Sequence, residues 1–119
     1  MPVEAVLLTP GAFDFEVLRQ VGETVNPPLN VAESESGGYV VFSDFAGEPQ
    51  LTLGRARVVQ NLSDLTRLVG TEAPVPLNTT AMYEGFIHYY DFQKGSALHV
   101  LLALEEIAHG SLIVRGITL

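Results

Sequence analysis

The alternation of apolar and polar positions divides the chain into short strands and three helical stretches. Residues 3–8 are apolar and stopped by Thr9, Pro10 and Gly11, which predicts a strand. Asp14 can cap a helix running to about Gly22. Its Phe15, Leu18 and Val21 share one face, and Glu16, Arg19, Gln20 and Glu23 lie mostly on the other. Asn26, Pro27 and Pro28 end it, and a short strand follows at 29–32. Residues 33–38, rich in Glu, Ser and Gly, read as an exposed turn. Residues 39–45 form the clearest strand, apolar on both faces as expected of a central one.

A turn at 46–49 leads into a strand at 50–59, antiparallel to its neighbour because the connection is short. Strict alternation would put Leu51 and Leu53 on one face with Arg55 and Arg57. A β-bulge at Gly54 resolves the conflict: Leu51, Leu53, Ala56 and Val58 then point inward and both Arg outward. Ser63 caps a short helix to Val69, and 71–80 reads as a crossing loop. Residues 83–92 hold half of the aromatic side chains and fit both periods. Aromatic enrichment and Gly85 favour a strand, with Tyr83, Ile87 and Tyr89 on one face and Phe86, His88, Tyr90 and Phe92 on the other. Because both faces carry aromatics, it reads as a central strand with two covered faces.

A helix from Ser96 to about His109, closed by Gly110, precedes a last strand at 112–119. The order is β-α-β-β-β-α-β-α-β. It predicts a single α+β domain over 1–119: a mostly antiparallel sheet of about five to six strands with two or three helices on one face. In the helix at 96–109 a broad apolar arc contains Ala97, Val100, Leu101, Ala103, Leu104, Ile107 and Ala108. Leu98 and Leu102 fall on the opposite arc, where water is expected, and are candidates for an interface.

Composition narrows the function classes. Fourteen acids against six bases give a net charge of −8. That disfavours nucleic acid and anionic membranes, both of which select basic surfaces. Only 17% of residues are charged, against the usual quarter or so, which fits a chain that covers part of its surface with a protein partner or another copy of itself. Cysteine is absent, so disulfides, thiolate nucleophiles and the usual zinc sites are excluded. No secretory signal and no membrane-spanning run is visible, so a cytoplasmic location is expected.

Candidate chemistry is sparse. His88 between Phe86 and Tyr90, with Glu84 at the edge, could act as a general acid or base. The plainer reading is a strand histidine bonded to backbone or a hydroxyl. Lys94, the only lysine, with Gly95 and Ser96 at a helix start, could hold an anion, although the glycine pattern of a phosphate loop is missing. Glu106 and His109 supply half of a di-iron helix unit with no second copy, so no metal is expected. Glu105 and His109 read as a surface pair, and no cofactor fingerprint occurs. The expectation is therefore a non-catalytic protein-binding or self-assembling domain. The alternative is a small-ligand-binding protein or cofactor-free hydrolase or isomerase with a pocket around His88 and Tyr90.

Overall fold

Among the described residues seven antiparallel strands pair into one sheet, and two helices lie across a single face of it. The computed structural model describes residues 3–61, 63, 77–88 and 96–115. In chain order the elements are β1 (Val3–Thr9), α1 (Phe15–Thr24), β2 (Asn30–Glu33), β3 (Tyr39–Ser43), β4 (Pro49–Gly54), β5 (Arg57–Val58), β6 (Ala81–Ile87), α2 (Ser96–Ala108) and β7 (Ser111–Arg115). The sheet order is β2-β3-β4-β6-β1-β7, and β5 pairs with β6 beyond the end of β4. The α+β class, the antiparallel pairing and the one-sided helices are those the sequence predicts. The strands number seven because the 50–59 strand divides into β4 and β5. Apart from Ser63, the helix expected at 63–69 lies outside the described residues, as does the chain from 89 to 95.

The main core fills the space between sheet and helices. Val3, Ala5 and Leu7 of β1, Tyr83 and Ile87 of β6, Leu51 and Leu53 of β4, and Phe42 of β3 supply the floor. Leu18 and Val21 of α1 and Ala97, Val100, Leu101 and Leu104 of α2 supply the roof. On the other face Val6, Leu8 and Met82 form a smaller cluster with Val59 and Ile113. This second cluster explains why β1 is apolar at nearly every position: both of its faces are buried.

β6 is central, paired with β1 on one side and with β4 and β5 on the other. Its two faces differ. Tyr83 and Ile87 are buried under the helices, whereas Glu84 is exposed and Phe86 is 40% exposed on the opposite face. The expectation of two covered faces is thus corrected. An antiparallel sheet needs only one buried face, and here the second is closed only around Met82. Likewise β3 lies one strand in from the sheet margin, and of its residues only Phe42 is fully buried.

The expected extra residue is present, but at 55–56 between β4 and β5 rather than at Gly54, which still pairs with Tyr39. Arg55, expected outward, therefore lines a cavity instead, and only Arg57 turns to the open face. Leu53 faces Gly85 and Arg57 faces Met82, so this strand carries one residue more than β6 over the same interval. A side chain at Gly54 would start 3.1 Å from the Glu84 carbonyl oxygen, tight enough to favour glycine where the strands draw together. Past the bulge Ala56 packs on the core and Arg57 reaches Glu84 on the open face, 3.3 Å away. Val58, expected inward, is 80% exposed, because neither described helix packs substantially on β5.

On α2 the buried positions are Ser96, Ala97, Val100, Leu101 and Leu104. Ile107, on the margin of that arc in the last turn, is 55% exposed. Glu105 does not serve as a mere surface partner of His109: its Oε2 accepts a 2.6 Å hydrogen bond from the Leu112 backbone N–H, tying helix to strand. His109 adopts a left-handed φ of 52°, which turns the chain into β7.

Candidate functional site

The site grows out of the link between β1 and α1. Thr9 ends β1 fully buried, and its hydroxyl donates to the Gly11 carbonyl at 2.6 Å. The Thr80 hydroxyl holds the Pro10 carbonyl, and the Thr80 N–H donates to the Thr9 carbonyl at 2.9 Å. These bonds seat the link over the start of β6. The Phe13 backbone N–H then donates to the Tyr83 phenol oxygen at 2.7 Å, and the two rings pack tilted with centroids 5.5 Å apart. Asp14 occupies the N-cap position of α1 without a side-chain capping bond. The helix thus begins with Phe15 40% exposed and Leu18 turned to the core.

Opposite this link stands the turn between β2 and β3. The Ser34 hydroxyl oxygen accepts from the N–H groups of Gly38 and Tyr39 at 3.1 and 3.2 Å, and Gly37 takes a left-handed φ of 72°. The Arg55 N–H donates to the Gly38 carbonyl at 3.1 Å, fastening the bulge to the same turn.

Between link and turn lies a cavity of about 450 Å³. Its apolar walls are Phe13, Phe15 and Leu18 from the α1 side and Val40, Leu53 and Ala56 from the sheet. Polar chemistry enters through Glu33, Ser36, Arg55 and the Tyr83 hydroxyl. The alternation that places Val31 and Val40 under the helices also puts Glu33 on that face. Arg55 follows Leu53 by two, so it lies on the cavity side, while the bulge sends Arg57 to the open face. Tyr83 is buried, and burial pushes its phenol pKa up, partly offset by the hydrogen bond from Phe13. The phenol therefore stays neutral through physiological pH and keeps its own proton for an acceptor in the cavity.

No family model, curated protein or solved structure matches this chain. Function is therefore read from the site itself.

The residues singled out from sequence lie elsewhere. His88 is exposed on the open face of the sheet, where its Nε2 is 2.6 Å from Thr52 Oγ1 and its N–H donates to the Gln50 carbonyl at 2.9 Å. A hydroxyl and an imidazole at that distance have the spacing of a nucleophile and its base. They sit on an exposed sheet surface, and the neighbouring Glu84 is engaged by Arg57. Tyr90, Lys94 and Gly95 lie outside the described residues. Ser96 is buried, and its hydroxyl donates to the Pro27 carbonyl at 2.5 Å, which binds α2 to the chain after α1. Leu98 is half-buried and Leu102 is 44% exposed. Among the described residues no group of three or more His, Asp or Glu side chains is arranged to hold a metal ion. None of the described helices is long and apolar enough to cross a membrane.

Sequence reasoning did not gather Phe13, Phe15, Glu33 and Arg55 into one site, and it set Arg55 outward where the structure has it lining the cavity. Phe15 read as core and Glu33 as part of a solvated turn. The one available signal was Arg55 beside a glycine within an apolar strand, since a bulge re-aims a side chain.

Proposed function

We propose that this chain is a non-catalytic small-molecule-binding domain whose ligand occupies the cavity between α1 and the β2–β3 turn. The cavity itself supports this reading. A volume of about 450 Å³, with apolar side chains and convergent polar groups in about equal share, suits a small polar ligand with an apolar part. The walls are fixed by backbone hydrogen bonds to Tyr83, Ser34 and Gly38, so much of the ordering cost is met before a ligand arrives. Fragment titration followed by backbone amide NMR tests it. Binders are expected to shift Phe13, Phe15, Gly37 and Ala56 together, and Ala56→Leu, which adds carbon to the wall, is expected to weaken them at least about tenfold, the worth of roughly 1.4 kcal/mol. Shifts confined to the open face around His88 would overturn the assignment.

A second reading, self-association through α2, is favoured by the exposure of Leu102 beside half-buried Leu98. Light scattering on the wild type and on Leu102→Glu separates the two. A dimer lost in the variant supports association, and a monomer in both ends it.

A further inference from the structure

The cavity carries one cation and one anion that do not neutralise each other. Among the described residues the ion pairs are Arg19 with Glu16 and Glu23, and Arg57 with Glu84; neither Glu33 nor Arg55 takes part in one. Yet both lie beside the same turn. A Glu33 carboxylate oxygen lies 3.8 Å from where a side chain on Gly37 would begin, and the Arg55 backbone is bonded to Gly38. In a chain with fourteen acids and six bases, an arginine lining a cavity with no carboxylate partner among the described residues is informative. A simple anion would bind Arg55 but meet Glu33, and a simple cation would meet the reverse.

Resting on the ligand-binding reading above, we infer that the cavity takes a small zwitterion with an apolar body, the chemistry of an apolar α-amino acid. The guanidinium of Arg55 binds the carboxylate in a charge-assisted pair. Glu33 accepts from the ammonium group, and the Tyr83 hydroxyl, already accepting from Phe13, donates to a remaining carboxylate oxygen. Phe13, Phe15 and Leu18 cover the apolar body. The ligand supplies the two charges that Glu33 and Arg55 do not supply to each other, which discriminates against molecules with only one of them.

Four probes test this by amide NMR and calorimetry on the full chain: L-phenylalanine, 3-phenylpropionate, 2-phenylethylamine and benzyl alcohol. L-phenylalanine is expected to bind about tenfold more tightly than either singly charged probe. Arg55→Gln should bring it to the level of 2-phenylethylamine, and Glu33→Gln to that of 3-phenylpropionate. Both substitutions are at exposed positions, so thermal unfolding should confirm an intact fold. Equal binding of a singly charged or neutral probe at Phe13 and Ala56 would overturn the zwitterion and leave a ligand site of another class. If no probe shifts those residues, the inference fails, and failure of the fragment titration as well would remove the ligand-binding reading.

Discussion

Phe42→Ala is expected to lower the unfolding free energy by about 3–5 kcal/mol. Phe42 is fully buried in the middle of the main core. It stands opposite Leu51 on one side and Val31 on the other, and a side chain on Gly22 of α1 would begin 3.5 Å from its ring. The helix backbone therefore lies directly over the ring. At Gly22 that backbone is already in tight contact with β2, since a side chain there would meet Val31 at 2.7 Å and the Leu29 carbonyl at 2.9 Å. Little can move in to fill the space left by the ring, so the cavity penalty adds to the lost transfer energy. Urea and thermal denaturation measure the effect, with a fall in Tm of more than about 10 °C for a domain of this size. Phe86→Ala, on the open face and 40% exposed, is the comparison and should cost less than about 1 kcal/mol. Equal losses at the two positions would contradict this account of the core.

The second large effect is expected at Gly110. A side chain there would begin 2.3 Å from the Leu8 carbonyl oxygen and 3.3 Å from Thr9 Cγ2. The obstacle is backbone, and it cannot yield without disturbing the pairing of Leu8 with Ser111 and with Met82. Gly110→Ala should therefore cost about 3 kcal/mol or more, the upper end for overpacking a closed space. The loss should appear as a displaced β7, with faster amide exchange at Leu112 and Val114 than in the wild type. Gly11→Ala is the control, because a side chain there meets nothing within 4 Å. If Gly110→Ala unfolds at the same urea concentration as Gly11→Ala, the close packing of the α2–β7 corner on β1 is refuted.

Much of the architecture was legible because it rests on local rules. The apolar run of β1, the amphipathic pattern of α1 and the prolines after it each specify their own conformation. The clash of Leu51 and Leu53 with Arg55 and Arg57 on one face was enough to predict an irregularity in this strand, but not that Arg55 stays on the inner side. What was misjudged concerns which face meets what. Phe86 and Val58 have the composition of core residues but lie where no described helix packs. Ile107 has the right helical angle, yet it falls at the margin of the buried arc. Periodicity reports which side chains share a face, and it is silent about how far the opposing layer extends.

The candidate site shows the same limit more sharply. His88, Tyr90 and Glu84 drew attention because they are adjacent in sequence. Phe13, Glu33, Arg55 and Tyr83, the residues around the cavity, are separated by long stretches of chain, and each has an ordinary local explanation.

By itself the sequence determined the class of the fold, the pairing of β3 with β4, the irregularity in the 50–59 strand and the acidic surface. Each of these follows from residues within a turn or two of one another, or from totals over the chain. Only the tertiary structure decided that the described helices leave one face of the sheet open and that Arg55 and Glu33 line one cavity. It also decided that the link before α1 is held by Tyr83, seventy residues along from Phe13. These depend on strand order and on the reach of the helical layer. They are set by the packing of distant segments against one another, and no local pattern encodes them.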